Sequence, residues 1–311
     1  MSISVLRTAD AWWVATPSGA ARVDTAATTT AQLLTDRQAL GAAAVSAEVV
    51  PVAGLSLVSP VTAPCRVVAQ MTNFASHVKD SGMDPETVPL TFFRKASGSI
   101  NGPHDDVIRP AHVRLLDYEV EIGLVFGREM AVGSEISADN VADYIAGLVV
   151  TNDISARDVQ LPKTQFYEAK SYPTFTPVGP ALVLLDADEL KRFTDLRLRL
   201  WVNGEVRQDM TVADMIYRPL QTLQALTRFQ RMDIGDLLLT GTPIGTALSA
   251  PPKPAEIIGS LLPPAVKWKL FFKGQAKNPK YLQDGDVIEA TIATDDGAID
   301  LGRQRTTVRY R

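Results

Sequence analysis

Cys65 is the only cysteine in 311 residues, so no intrachain disulfide can form and a disulfide-built secreted scaffold is excluded. Histidine is nearly as scarce, with only His77, His104 and His112. No apolar run approaches the roughly 18 residues a membrane helix needs, and no membrane contact is expected. A large excess of either charge is also missing. A net charge of −4 and a pI near 5.5 argue against broad nucleic-acid binding. Met1-Ser-Ile-Ser-Val-Leu-Arg7 lacks the basic-then-apolar order of a signal peptide, so a cytoplasmic location is expected. The remaining composition, 46% apolar and 21% charged, is that of a globular chain with core enough for one large domain, or one plus a small one.

What the chain does have is acid among apolar residues. Glu119 and Glu121 lie two apart in Tyr118-Glu-Val-Glu-Ile122, and Asp153 follows in Val150-Thr-Asn-Asp-Ile154. In a strand, residues i and i+2 share a face. Both glutamates then project together, while Tyr118, Val120, Ile122, Leu124 and Phe126 take the other side. Buried carboxylates are costly unless their charge is compensated, and a divalent cation is the simplest remedy for a repelling pair. Oxygen ligands with no cysteine or histidine nearby favour Mg²⁺, Mn²⁺ or Ca²⁺ over Zn²⁺. A metal enzyme is expected. The rival reading, a solvated strand face with alternating acids, loses ground to three further segments. These are Asn152-Asp-Ile-Ser-Ala-Arg-Asp158, the Pro/Gly-rich loop after Lys170, and Gly235-Asp-Leu-Leu-Leu-Thr-Gly-Thr-Pro-Ile-Gly245.

Residues 1–64 read as a small N-terminal α/β unit, with three short strands, a helix over about 31–45, and a Pro-rich boundary at Val58–Pro64. Residues 65–311 read as a β-rich catalytic domain. Asn203-Gly204 signals a hairpin, and Thr211-Val-Ala-Asp214 resembles a capping box whose helix Pro219 should end or kink. Residues 248–281 stand apart, with six prolines, six lysines and Glu256 as the lone acid. The prolines predict little regular structure there. The segment is either a surface excursion, or a lid or subunit contact whose lysines attract an anionic substrate.

Taken in order, Asn73-Phe-Ala-Ser-His77, Asp117-Tyr-Glu-Val-Glu-Ile-Gly123, Asn152 to Gln160, Lys170 to Pro180, Val202-Asn-Gly-Glu-Val-Arg-Gln208, Gly241-Thr-Pro243 and Gly285-Asp-Val287 resemble the fumarylacetoacetate hydrolase superfamily over residues 65–311. The resemblance implies that family's α+β, mixed β-roll, barrel-like fold, usually as a homodimer. It also implies a divalent cation, Mg²⁺ or Mn²⁺ with Ca²⁺ an alternative, held by Glu119, Glu121 and Asp153. The implied substrates are small 2-oxo acids. The expected reaction is hydrolysis of a C–C bond in a 2,4-dioxo acid, with decarboxylation of an oxaloacetate-like acid, enol–keto isomerisation or hydration on the same metal–enolate site as the alternative.

By the same resemblance His77 is the base, paired with Asp80 three residues on, although aspartate is shorter than the glutamate common in relatives. Lys170 offers a charge to the substrate, or bridges a ligand carboxylate, or does both. Gln160 contacts the substrate or steadies the enolate, and Thr242 holds the substrate carboxylate through its hydroxyl and backbone. Arg157 reads as an internal ion-pair partner of Asp158 or of a ligand carboxylate. His104 and His112 read as structural.

Overall fold

The computed structural model describes residues 2–163, 166–248 and 262–311. Runs of β-branched and apolar residues, broken by Gly, Pro and Asn, build two large open mixed sheets beside two short two-stranded pairs. The larger has nine strands, in the order Gly19–Arg22, Trp12–Thr16, Ile3–Arg7, Leu182–Leu184, Ile145–Asn152, Val120–Phe126, Leu237–Leu239, Val67–Met71 and Thr91–Lys95. Only the pairing of Leu237–Leu239 with Val67–Met71 is parallel. The smaller sheet runs Glu205–Thr211, Leu196–Val202, Val287–Thr294, Asp300–Tyr310 and Val107–Arg109. Its first two strands form the hairpin expected at Asn203-Gly204. The fold is β-rich α+β, and no described helix is long and apolar enough to cross a membrane.

Period-2 alternation sorts the central strand into two environments. Val120, Ile122, Leu124 and Phe126 join Leu198, Leu200, Ile288 and Ile292 of the smaller sheet in one apolar cluster. Val125 faces the other way, with Val149, Leu237 and Leu239, and that layer is closed by Leu33, Leu34, Leu40 and Ala43. Glu121 shares its parity with Val125 and so lies on this second face, beyond the reach of the N-terminal helices.

Three local expectations change. The single helix over 31–45 is two helices, Thr30–Thr35 and Arg37–Ala44, because the Asp36 carboxylate accepts the Ala39 N–H and starts a new one. Thr211–Asp214 does not open a long helix: Val212–Asp214 is one 3₁₀ turn, and Pro219 begins Pro219–Leu226 instead of ending a helix. Proline's missing N–H costs nothing in a first turn. The segment 1–64, expected as a separate unit, contributes three strands to the large sheet, with Ile3–Arg7 paired to Leu182–Leu184.

Gly147 tests this packing. A Cβ built there would sit 2.2 Å from the Val183 carbonyl oxygen of the neighbouring strand, a backbone atom that cannot swing aside. Gly147→Ala should cost about 2 kcal/mol or more from overpacking. Thermal unfolding followed by circular dichroism would show it, and an unchanged melting temperature would contradict the strand spacing.

Candidate metal centre and active site

Strand register assembles what sequence spacing leaves apart. Glu121 pairs with Thr151 and Val120 with Asn152 in the antiparallel ladder. One step further, the Asp153 N–H donates to the Glu119 carbonyl at 2.8 Å, and the Glu119 N–H donates to Asn152 Oδ1 at 2.9 Å. Glu119, Glu121 and Asp153 are all buried, and each offers one carboxylate oxygen within 4.8 Å of the other two.

Three buried cations compensate part of this charge. Arg157 donates to Asp117 at 2.8 Å and to Glu119. Lys170 donates to Glu119 and, at 2.6 Å, to Asp153. Lys95 donates to Asp153 and, at 2.9 Å, to the Phe175 carbonyl. Burial alone would push the Glu119 carboxyl up, but the Arg157 and Lys170 charges outweigh it and hold it well below the usual carboxylate range. For Lys170 burial is likewise overcome by Asp153 and Glu119, and its pKa rises, whereas for Lys95 burial prevails over Asp153 and lowers it.

Glu121 is the exception. Its one hydrogen-bond partner among the described residues is the Gly241 N–H at 2.7 Å, and no ion pair reaches it. Burial, Asp153 and Glu119 together push its pKa well up. Among the described residues, four buried acids at the site (Asp117, Glu119, Glu121 and Asp153) thus face three buried cations, and the unmatched charge falls on Glu121. A hard divalent cation fits this set: three carboxylates supply about half of an octahedral shell and leave room for a bidentate ligand and water. Gly241 makes its contact possible, since a Cβ there would meet Asn73 Cβ at 2.8 Å and its φ is +86°.

His77 lies on the short helix Ala75–Asp80 and lines the same cavity as the triad. Two distant residues fix that helix. Asp214 accepts from the Ser76 N–H at 3.0 Å and from Ser76 Oγ at 2.5 Å, acting as a remote N-cap. Buried Asn73 spans the Tyr217 and Thr240 carbonyls at 2.9 and 2.8 Å. The expected pair with Asp80 is not formed: Asp80 is exposed, and His77 Nδ1 is buried with no hydrogen-bond partner among the described residues. Asp80 sits at the end of a helix of six residues, where its short side chain turns to solvent. Burial lowers the His77 pKa, only partly opposed by Glu119, and favours the neutral imidazole.

The hydrogen bonds of the other expected residues narrow their roles. Gln160 accepts from Arg157 at 2.8 Å, which fixes its amide at the wall. The Thr242 hydroxyl donates to the Val120 carbonyl at 3.0 Å and accepts from Gln208 at 2.8 Å, so it is already committed. Arg157 pairs with a ligand carboxylate and not with Asp158, which accepts the Arg114 and Leu115 N–H groups. Lys170 bridges two ligand carboxylates, the second of its expected roles. His112 binds the Tyr172 hydroxyl at 2.7 Å, outside the cavity.

Sequence reasoning missed Lys95, Asp117 and Gln208. A lysine ending the apolar strand Thr91-Phe-Phe-Arg-Lys95 was the available signal for the first. Asp117 precedes the acid pair and accepts the Ala247 and Leu248 N–H groups at 2.8 and 3.1 Å. Gln208 accepts the Val120 N–H at 3.0 Å and so ties the hairpin to the site.

The cavity encloses about 830 Å³. Its outer wall includes the helix Pro264–Gln275, within the segment expected to be irregular. Pro263 and Pro264 only start this helix, and no proline interrupts it. Residues 249–261 of that segment lie outside the described residues.

The C-terminal fumarylacetoacetate hydrolase family pattern matches residues 66–309. A mitochondrial oxaloacetate tautomerase of Rattus norvegicus is 34% identical over 204 residues, which are 65% of this chain and 63% of that protein. The match thus spans less than two thirds of that relative's length. A probable 2-hydroxyhepta-2,4-diene-1,7-dioate isomerase of Mycobacterium abscessus superposes with a TM-score of 0.76 at 29% identity, covering 100% of this chain and 99% of that one. A maleylpyruvate hydrolase of Sphingobium, 20% identical, shares the fold with a TM-score of 0.72, covering 99% and 100%.

Proposed function

The chain belongs to the fumarylacetoacetate hydrolase family, and on that premise we propose that it interconverts the enol and keto forms of a 2-oxo acid whose C3 is acidified by a second carbonyl. The observation that carries this reading is His77 in the cavity of the acid triad, its pKa lowered by burial and its side chain without a carboxylate partner among the described residues. A lone imidazole of lowered pKa can move a proton to and from carbon near neutral pH. Driving water onto a carbonyl is helped by a paired carboxylate, and Asp80 does not provide one here. The similarity to an oxaloacetate tautomerase and to an isomerase of a 2-hydroxydienoate supports the same choice. Hydrolysis of the C3–C4 bond, the reaction expected from the sequence, stands second. It is favoured by the unpartnered Nδ1, a place for a water to be held.

In this scheme Glu119, Glu121 and Asp153 hold the divalent cation, which when bound polarises the 2-oxo group and offsets the charge that develops on its oxygen. Lys170 and Arg157 keep Glu119 oriented, and Lys95 and Lys170 do so for Asp153. Gln160, fixed by Arg157, offers its amide N–H to a substrate oxygen. The His77 imidazole takes the proton from C3 on enolisation and returns it on ketonisation.

The test is incubation of the Mg²⁺- or Mn²⁺-loaded protein with oxaloacetate and a panel of acylpyruvates in D₂O. The expected result is faster loss of enol absorbance with deuterium entering C3 and every carbon retained. Stoichiometric pyruvate release from the acylpyruvates would replace this reading with the hydrolytic one, and CO₂ release with the decarboxylase.

A further inference from the structure

We propose that the helix Pro264–Gln275 recognises a bulky apolar group of aromatic size at the end of the substrate remote from its 2-oxo acid head; this rests on the 2-oxo acid chemistry proposed above. The helix carries Val266, Trp268, Leu270, Phe271 and Phe272, yet none of its residues is buried, and Leu270 is 55% exposed. A surface helix ordinarily turns such residues into a core. Here Trp268, Leu270 and Phe271 instead face the cavity that holds the acid triad. Trp268 stacks on Phe272 with centroids 5.6 Å apart and meets Phe271 edge-on at 5.9 Å. Phe93 and Phe166, in edge contact at 5.5 Å, also line the cavity.

Charge separates an apolar tail from a second carboxylate. Arg157 and Lys170 are already paired with the inner acids. Among the described residues the remaining lysine or arginine at the cavity is Lys267, which is exposed and lies 5.7 Å from the Trp268 ring centroid. A distal carboxylate would therefore lose water for one solvated ammonium, whereas an aromatic ring would cover several apolar side chains. The volume of about 830 Å³ is in the upper part of the range of small-molecule sites, well beyond a four-carbon diacid. The helix is also tied to the site. Asp117 anchors Leu248 at 3.1 Å, Asn278 donates to the Ala247 carbonyl at 2.8 Å, and Tyr281 donates to Gln275 at 2.8 Å.

Calorimetry with oxamate and its N-substituted derivatives reads this directly, because oxamates keep a 1,2-dicarbonyl head but have no C3 to react. The metal-loaded protein should bind N-benzyl oxamate about 10- to 100-fold more tightly than oxamate, as expected for taking a ring out of water. N-(3-carboxypropyl) oxamate should gain little. Trp268→Ala and Phe271→Ala should remove most of the benzyl-to-oxamate ratio, whereas Val266→Ala, which does not line the cavity, should keep it. Since no residue of the helix is buried, these truncations leave the core intact. Oxamate binding without a benzyl gain, a tighter carboxylate tail, or an unchanged ratio in both aromatic variants would overturn the inference while leaving the proposed function standing. No binding by any oxamate would overturn both. A shift of Trp268→Ala to a smaller species in sedimentation would assign the helix to a second copy of the chain and equally overturn it.

Discussion

Glu121→Gln should abolish metal-dependent activity while leaving the metal-free protein as stable as the parent, or more so. Glu121 is the triad carboxylate with no direct ion pair among the described residues, pushed toward its neutral form by burial and by Asp153 and Glu119 against the opposing Lys170 charge. Glutamine keeps the shape and an oxygen for the Gly241 N–H, and removes the repulsion. What it takes away is the charge that a divalent cation needs. Lewis-acid stabilisation worth several kcal/mol, at about 1.4 kcal/mol per tenfold, makes the expected loss about 10³-fold or more. Scanning calorimetry separates the two effects. Mg²⁺ or Mn²⁺ at 100 times its Kd should stabilise the parent by about 2.7 kcal/mol relative to chelator. The variant should show no such rise. Retention of the metal-induced shift, or a metal-free variant markedly less stable than the parent, would contradict the assignment of Glu121 as the uncompensated ligand.

His77→Ala should lower turnover by about 10²- to 10⁴-fold, the range for loss of a general base, with little change in metal affinity. The pH profile carries the sharper statement. Burial disfavours the imidazolium, so His77 releases its proton at a lower pH than a free imidazole near 6.5. A cation on the triad would shift it the same way. The basic form is therefore present throughout the neutral range, and kcat/KM should fall only as pH drops below about 6.5. The residual activity of His77→Ala should lack that acid limb. A limb centred at or above 6.5, or one surviving the substitution, would remove His77 from the proton-transfer step and leave it a wall of the cavity.

The interior of this protein shows why some of its site could be read early. The E-x-E spacing and the apolar residues between fixed both glutamates on one strand face, because side-chain alternation is a local property of the chain. Asp153 and Lys170 lay in segments whose order matches a family, and the fold brings their side chains within hydrogen-bond distance. The Asn203-Gly204 hairpin and the central strands were legible for the same local reason.

Other features depended on what packs against what. Lys95 and Asp117 become part of the charge balance only when distant strands bring them within hydrogen-bond reach of Asp153 and Arg157. The family resemblance implied a His77–Asp80 pair, but the orientation of a helix held by Asp214 and Asn73 leaves Asp80 in solvent. Six prolines suggested an irregular segment, yet none falls within Pro264–Gln275 beyond its first position, which leaves that stretch free to coil over the cavity. By itself the sequence determined the chemistry of the centre, since acids on an apolar strand require a compensating cation wherever they are buried. Which acid lacks a cation, which base lacks a partner, and what closes the far end of the cavity were decided only by tertiary structure, because charge compensation acts through space and not along the chain.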